Sequence, residues 1–183
     1  DYEALRTGAG LQPIGGHMWK FHRIRPSNFP TIRISQFSAV VSQSSNLFAT
    51  LLEATDVKQI EQLFDMQAAE YWDNHYRFDV LTEKSMPKRL GGTQVHLLII
   101  NAWVPLLFVY GSVHGKQSYK DQAISLLEQM PAEDNVVVRK WEQVGAEPRS
   151  AASSQALLQL YSGYCSCRRC LECRIGYQML KRK

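Results

Sequence analysis

A chain of 183 residues, 45% hydrophobic and 21% charged, can close a packed core of ordinary size, which excludes a wholly disordered, collagen-like or low-complexity protein. Its net charge of +4 is unevenly laid out: Ala4 to Leu52 carries five Lys and Arg residues and no acid, and Cys165 to Lys183 carries six against Glu172 alone. Between these basic ends Glu53 to Tyr164 holds 14 acids and 10 bases, so the ends either pair with the middle, the reading such a mildly basic chain favours, or meet an outside polyanion.

Residues 1–18 are Gly-rich, carry Pro13 and read as an irregular lead-in to one helical domain over 19–183. The segment WKFHRIR over 19–25 alternates as a strand would, with Lys20, His22 and Ile24 on one face and Trp19, Phe21, Arg23 and Arg25 on the other. Pro30 suits the first turn of a helix whose buried face is predicted to hold Ile34, Phe37 and Val41, with Val40 beside them. Asn46 and then Thr55 or Asp56 can cap two short amphipathic helices, the second carrying Val57, Ile60, Leu63 and Phe64. Tyr71 and Trp72 continue the helical layer, and Tyr76 to Leu81 reads as a short extended piece before a loop ending at Gly91 and Gly92.

Thr93 is expected to cap the most apolar helix, Val95 to Tyr110, in which Pro105 leaves the carbonyl of Asn101 without its usual donor and predicts a kink. His96, Asn101 and Pro105 interrupt this stretch, and it is shorter than the ~20 residues of a membrane crossing, so it is expected to be a buried core helix with no membrane partner. Further helices fit Ser118 to Met130, Ser150 to Tyr161 and Cys170 to Leu180. Asn135 to Trp141 is read as helix against the strand propensity of its three valines. The expected fold is all-α: several helices around a central, apolar, proline-kinked one, with at most a short strand pair.

Two constellations stand out. Cys165, Cys167, Cys170 and Cys173 form C-x-C-x2-C-x2-C: four thiolates can close a zinc site or, less well matched, hold an iron-sulfur cluster. The alternatives are packing, because Cys170, Cys173, Tyr177 and Leu180 would share one face of a helix, and a redox or disulfide role. The second is the basic and aromatic segment with Lys20, Arg23, Arg25, Asn28 and Arg33, which could hold phosphates while Trp19 and Phe21 stack on bases, or could bury its aromatics and pair its arginines internally. Glu70, Asp73 and His75, with His96 and His114 as distant partners, match no mechanism, and no phosphate loop or nucleophile elbow occurs, so no catalytic residue is assigned.

Several segments resemble a family of bacterial proteins catalogued as a domain of unknown function: WKF over 19–21, RPSNFPTIRISQ over 25–36, INAWVPLLFVYG over 100–111, QALLQL over 155–160, Tyr164 with Cys165, and CLECRIG over 170–176. The resemblance implies that the chain matches the C-terminal part of longer proteins, that Cys165, Cys170 and Cys173 are the matching cysteines with Cys167 extra, and it implies no activity. A start without Met agrees with a piece of a longer chain, whose remainder is then a partner, and clustered cysteines point to a reducing, cytoplasmic compartment. The functional expectation is a non-catalytic helical module of an intracellular bacterial protein, with a cysteine-bound structural metal and polyanion contacts as its sites. Its rivals are the substrate-binding half of a nucleic-acid-processing enzyme and a purely structural or oligomerisation domain.

Overall fold

A computed structural model describes residues 2–181; Arg182 and Lys183 of the basic tail lie outside the described residues. Helices dominate: α1 Tyr2–Gly8, α2 Pro30–Gln43, α3 Leu47–Glu53, α4 Val57–Phe64, α5 Gly92–Val113, α6 Gln117–Gln129, α7 Val136–Gln143, α8 Ala151–Leu160 and α9 Arg174–Lys181. The strands β1 His75–Arg77 and β2 Val80–Leu81 form an antiparallel pair, so the fold is all-α with one small hairpin, as expected. The chain divides into two compact units, 1–47 with 65–90 and 48–64 with 91–183.

The first unit is built around α2. Pro30 occupies its first turn, where a missing N–H costs nothing, and Phe29 precedes it with extended backbone. Ile32, Gln36 and Val40, four residues apart, face inward, and Phe29 and Ile32 pack on Ala68 and Trp72, with Phe21, Ile24 and Tyr76 closing the cluster. The expected face is therefore corrected: Ile34, Phe37 and Val41 are exposed, Phe37 at 61%, and of the apolar residues named for that face Val40 alone is buried.

A buried polar network ties α2 to the second segment of this unit. Gln36, 2% exposed, donates through Nε2 to the Lys88 carbonyl at 3.2 Å, which also accepts from the Ala68 N–H at 3.1 Å. Lys88 is itself only 4% exposed; its ammonium donates to the carbonyls of Asp73 at 3.0 Å and Met86 at 2.8 Å and lies 4.4 Å from the Tyr76 ring centroid. Backbone carbonyls and a ring face thus replace water around the charge, which an unpaired buried ammonium requires.

Two local expectations are corrected here. Residues 2–8 are helical where an irregular lead-in is read, and residues 19–25 are not a strand, because Arg23 adopts φ 58° and turns the chain. The alternation of Lys20 and His22 against Trp19 and Phe21 then has no pleat to order it.

In the second unit Asp56 Oδ1 accepts the Gln59 N–H at 2.9 Å while Gln59 Oε1 accepts from Thr55 N at 2.8 Å, a reciprocal cap that starts α4. Asn135 caps α7 by accepting from Val137 and Val138, both at 3.0 Å, which settles the valine stretch as helix. Ser150 and Ser153 form a capping box at α8. Ile60, Ile99, Leu107, Leu126, Met130 and Val138 are the largest fully buried side chains of this core.

α5 departs from the expectation in three ways. It begins at Gly92 with Gly91 as its cap, and Thr93 caps nothing. Pro105 is accommodated by a π turn over Ile99–Trp103, where the Val104 N–H reaches back five residues to the Ile99 carbonyl. Finally, the helix runs for 22 residues, long and apolar enough to cross a membrane by length and composition, and 39% of its most apolar window is buried. It is buried on one face, through Val95, Ile99, Ile100, Trp103, Val104, Leu107 and Gly111, while Leu97, Leu98, Leu106, Phe108, Val109 and Val113 are exposed. Gly111 permits the return into α6: a Cβ there would lie 2.9 Å from the Lys116 carbonyl oxygen.

α8 ends in a second π turn, Tyr161–Cys165, and α9 starts only at Arg174, so residues 170–173 lie in turns. The helical face expected of Cys170, Cys173, Tyr177 and Leu180 therefore does not form as one stripe, and the packing alternative holds for Cys173 alone. Cys173 is buried; the other three residues are exposed.

Candidate functional site

The expected sites fall in different units. Cys165, Cys167 and Cys170 are exposed free thiols, and Cys173 is a buried one. Cys167 Sγ contacts the Ser162 carbonyl at 3.6 Å, and Arg169 pairs with Glu172, its Nε 3.1 Å from Oε2. That pair holds the Glu172 carboxyl below its usual range and the Arg169 guanidinium above its own, through a hydrogen bond first and charge attraction second. Gly176 packs on this turn so closely that a Cβ would collide with the Cys170 carbonyl oxygen. Among the described residues no three His, Cys, Asp or Glu side chains gather as a metal ion would need.

The acid-base candidates are distributed likewise. His75 rests its Nδ1 2.7 Å from the Tyr71 carbonyl and stacks on the Tyr71 ring at 4.1 Å, and Asp73 accepts from Gln67 at 3.3 Å. His96 and His114 belong to the second unit, His96 with its Nε2 2.6 Å from Glu61 Oε1 and His114 against the Tyr110 ring. Glu70, Asp73 and His75 share a short helical turn and the first residue of β1.

The basic segment is different. Lys20, Arg23 and Arg25 are exposed, and among the described residues none of them pairs with a carboxylate. Arg33 is half-buried, and its guanidinium donates to Asn28 Oδ1 and, at 3.0 Å, to Gln36 Oε1, both neutral; burial draws it below its ordinary pKa. So Asn28 and Arg33 extend the polar network around Gln36, leaving Lys20, Arg23 and Arg25 as the open cations. The structure adds Arg77, from β1, which sequence distance concealed: its guanidinium sits 5.0 Å from the Phe21 ring and 5.3 Å from the Phe29 ring, beside the 19–25 segment.

Within the same unit lies a groove of about 800 Å³, lined by Trp19 and Phe21 of that segment, by Ile34, Ser35, Ser38 and Ser42 on one side of α2, and by Gln67, Trp72 and Phe78. The corrected face of α2 explains the groove: Ile34 and its serine neighbours are turned into open space rather than into the core. Only the aromatic pair Trp19 and Phe21 was legible beforehand, because the walls from Ile34 to Ser42 and from Gln67 to Phe78 lie more than ten positions away in sequence.

No curated protein and no solved structure matches the chain. A family match covers residues 1–136, spanning the RPSNFPTIRISQ segment, the groove and α5 and ending before the cysteines. On that match the chain belongs to the family described as protein of unknown function (DUF2851).

Proposed function

We propose that this chain is a polyanion-binding helical module in which the first unit supplies the contact surface. The observation that carries the reading is the exposure of Lys20, Arg23 and Arg25 without any carboxylate partner among the described residues, next to Arg77. Internal pairing of the basic end with the acidic middle is the competing account; among the described residues Lys20, Arg23 and Arg25 form no ion pair. Open cations exchange condensed counterions for phosphates, so affinity follows from their number and falls with salt. Chemistry on the ligand is not part of the reading.

The test is a fluorescence-anisotropy titration of labelled single-stranded DNA from low to moderate salt, on the parent chain and on a Lys20→Gln, Arg23→Gln, Arg25→Gln variant. Loss of three phosphate contacts is expected to flatten the slope of log affinity against log salt by about 2, at roughly 0.7 per contact for a single strand. A parent chain that binds neither DNA nor inorganic polyphosphate, or a variant with an unchanged slope, overturns the proposal.

A further inference from the structure

Beside the open cations the groove offers what a phosphate chain alone does not use. We infer that the groove receives an unstacked base, so that the polyanion is a single-stranded nucleic acid; this rests on the polyanion reading above. Four aromatic rings line it: Phe78 meets Trp72 edge-on at 5.1 Å and 65° rather than stacking on it, while the Phe21 ring carries the Arg77 guanidinium 5.0 Å from its centroid. Phe78 is 66% exposed although its neighbour Trp72 is buried, which leaves a large ring in water at the rim of a concave site.

The polar groups of the lining point the same way. Ser35 Oγ accepts the Ala69 N–H at 3.3 Å, and among the described residues neither the Ser35 O–H nor the Ser38 side-chain hydroxyl has a further hydrogen-bond partner. Gln67 uses its Nε2 on Asp73, which leaves its carbonyl oxygen as an acceptor. A groove with stacking faces, two hydroxyl donors and one amide acceptor reads a base by its face and edge, whereas a purely apolar ligand would leave those groups dry and unpaired. Its volume, about 800 Å³, lies inside the roughly 300–1,000 Å³ range of small-molecule sites. A duplex has no free base faces to insert, so the geometry selects single strands.

The experiment compares labelled oligo-dT of about twelve nucleotides with an abasic strand of equal length and with inorganic polyphosphate, on the parent, Phe78→Ala and Phe78→Trp chains. Stacking of one base is worth about 1–3 kcal/mol, so oligo-dT is expected to bind roughly 5- to 150-fold tighter than the abasic strand. Phe78→Ala should remove most of that margin while leaving the abasic strand and polyphosphate unchanged, and Phe78→Trp should restore it. Because Phe78 is exposed, the alanine chain is expected to keep its circular dichroism spectrum. Equal affinity for oligo-dT and the abasic strand, or a folded Phe78→Ala chain with the parent's margin, overturns the groove assignment and leaves the polyanion reading standing. Absence of binding to all three probes overturns both.

Discussion

Gln36 is the residue on which the first unit's polar interior turns. Its Nε2 serves the Lys88 carbonyl and its Oε1 receives Arg33, so Gln36→Leu would leave a buried carbonyl with one donor fewer and a half-buried guanidinium with one acceptor fewer. The expected loss is about 1–3 kcal/mol of unfolding free energy, measured by urea titration; a Leu variant as stable as the parent would mean that water takes over both bonds. The RPSNFPTIRISQ segment thereby acquires a structural account: Phe29, Ile32 and Gln36 are its buried positions, and Asn28 and Arg33 are bonded to each other. The cysteines divide at the same scale. Three exposed thiols and one buried one predict that three react at once with a disulfide reagent and Cys173 reacts slowly. Zinc at one equivalent that protects all four would support ligation by Cys165, Cys167, Cys170 and Cys173; unchanged reactivity would count against it.

At the scale of the element, α5 shows how composition and burial separate. It is apolar around most of its circumference, yet Leu107 is fully buried and its neighbour Phe108 is exposed. Leu107→Ala is therefore expected to cost about 2–5 kcal/mol by transfer and cavity formation, and Phe108→Ala to stay within about 0.5 kcal/mol. Thermal unfolding of the two variants checks this, and equal losses would mean that something covers the outer face in solution. α2 teaches the same lesson. Its helical period is legible from Pro30 onward, but apolar residues occur on two adjacent faces, Ile32 with Val40 and Ile34 with Phe37 and Val41. Periodicity alone favours the one with the larger side chains. The polar Gln36 argues against the face that is in fact buried, because its partner, a carbonyl 52 residues away, is invisible locally.

For the molecule as a whole, the uneven charge read from the sequence has a structural counterpart, since the acid-free stretch supplies the open cations of the first unit. The all-α class, a short extended piece near residues 76–81, the cap at Thr55 or Asp56 and helices α2 to α8 were legible in the sequence itself, because they rest on periodicity, proline geometry and side-chain-to-backbone bonds within four residues. Only the tertiary structure decided which face of α2 is buried, that Lys88 is held inside by carbonyls, that Arg77 joins the basic segment and that Gln67, Trp72 and Phe78 complete a groove with Trp19. Those features depend on partners tens of residues apart, and a helix with two apolar faces carries no local signal of which neighbour will cover it.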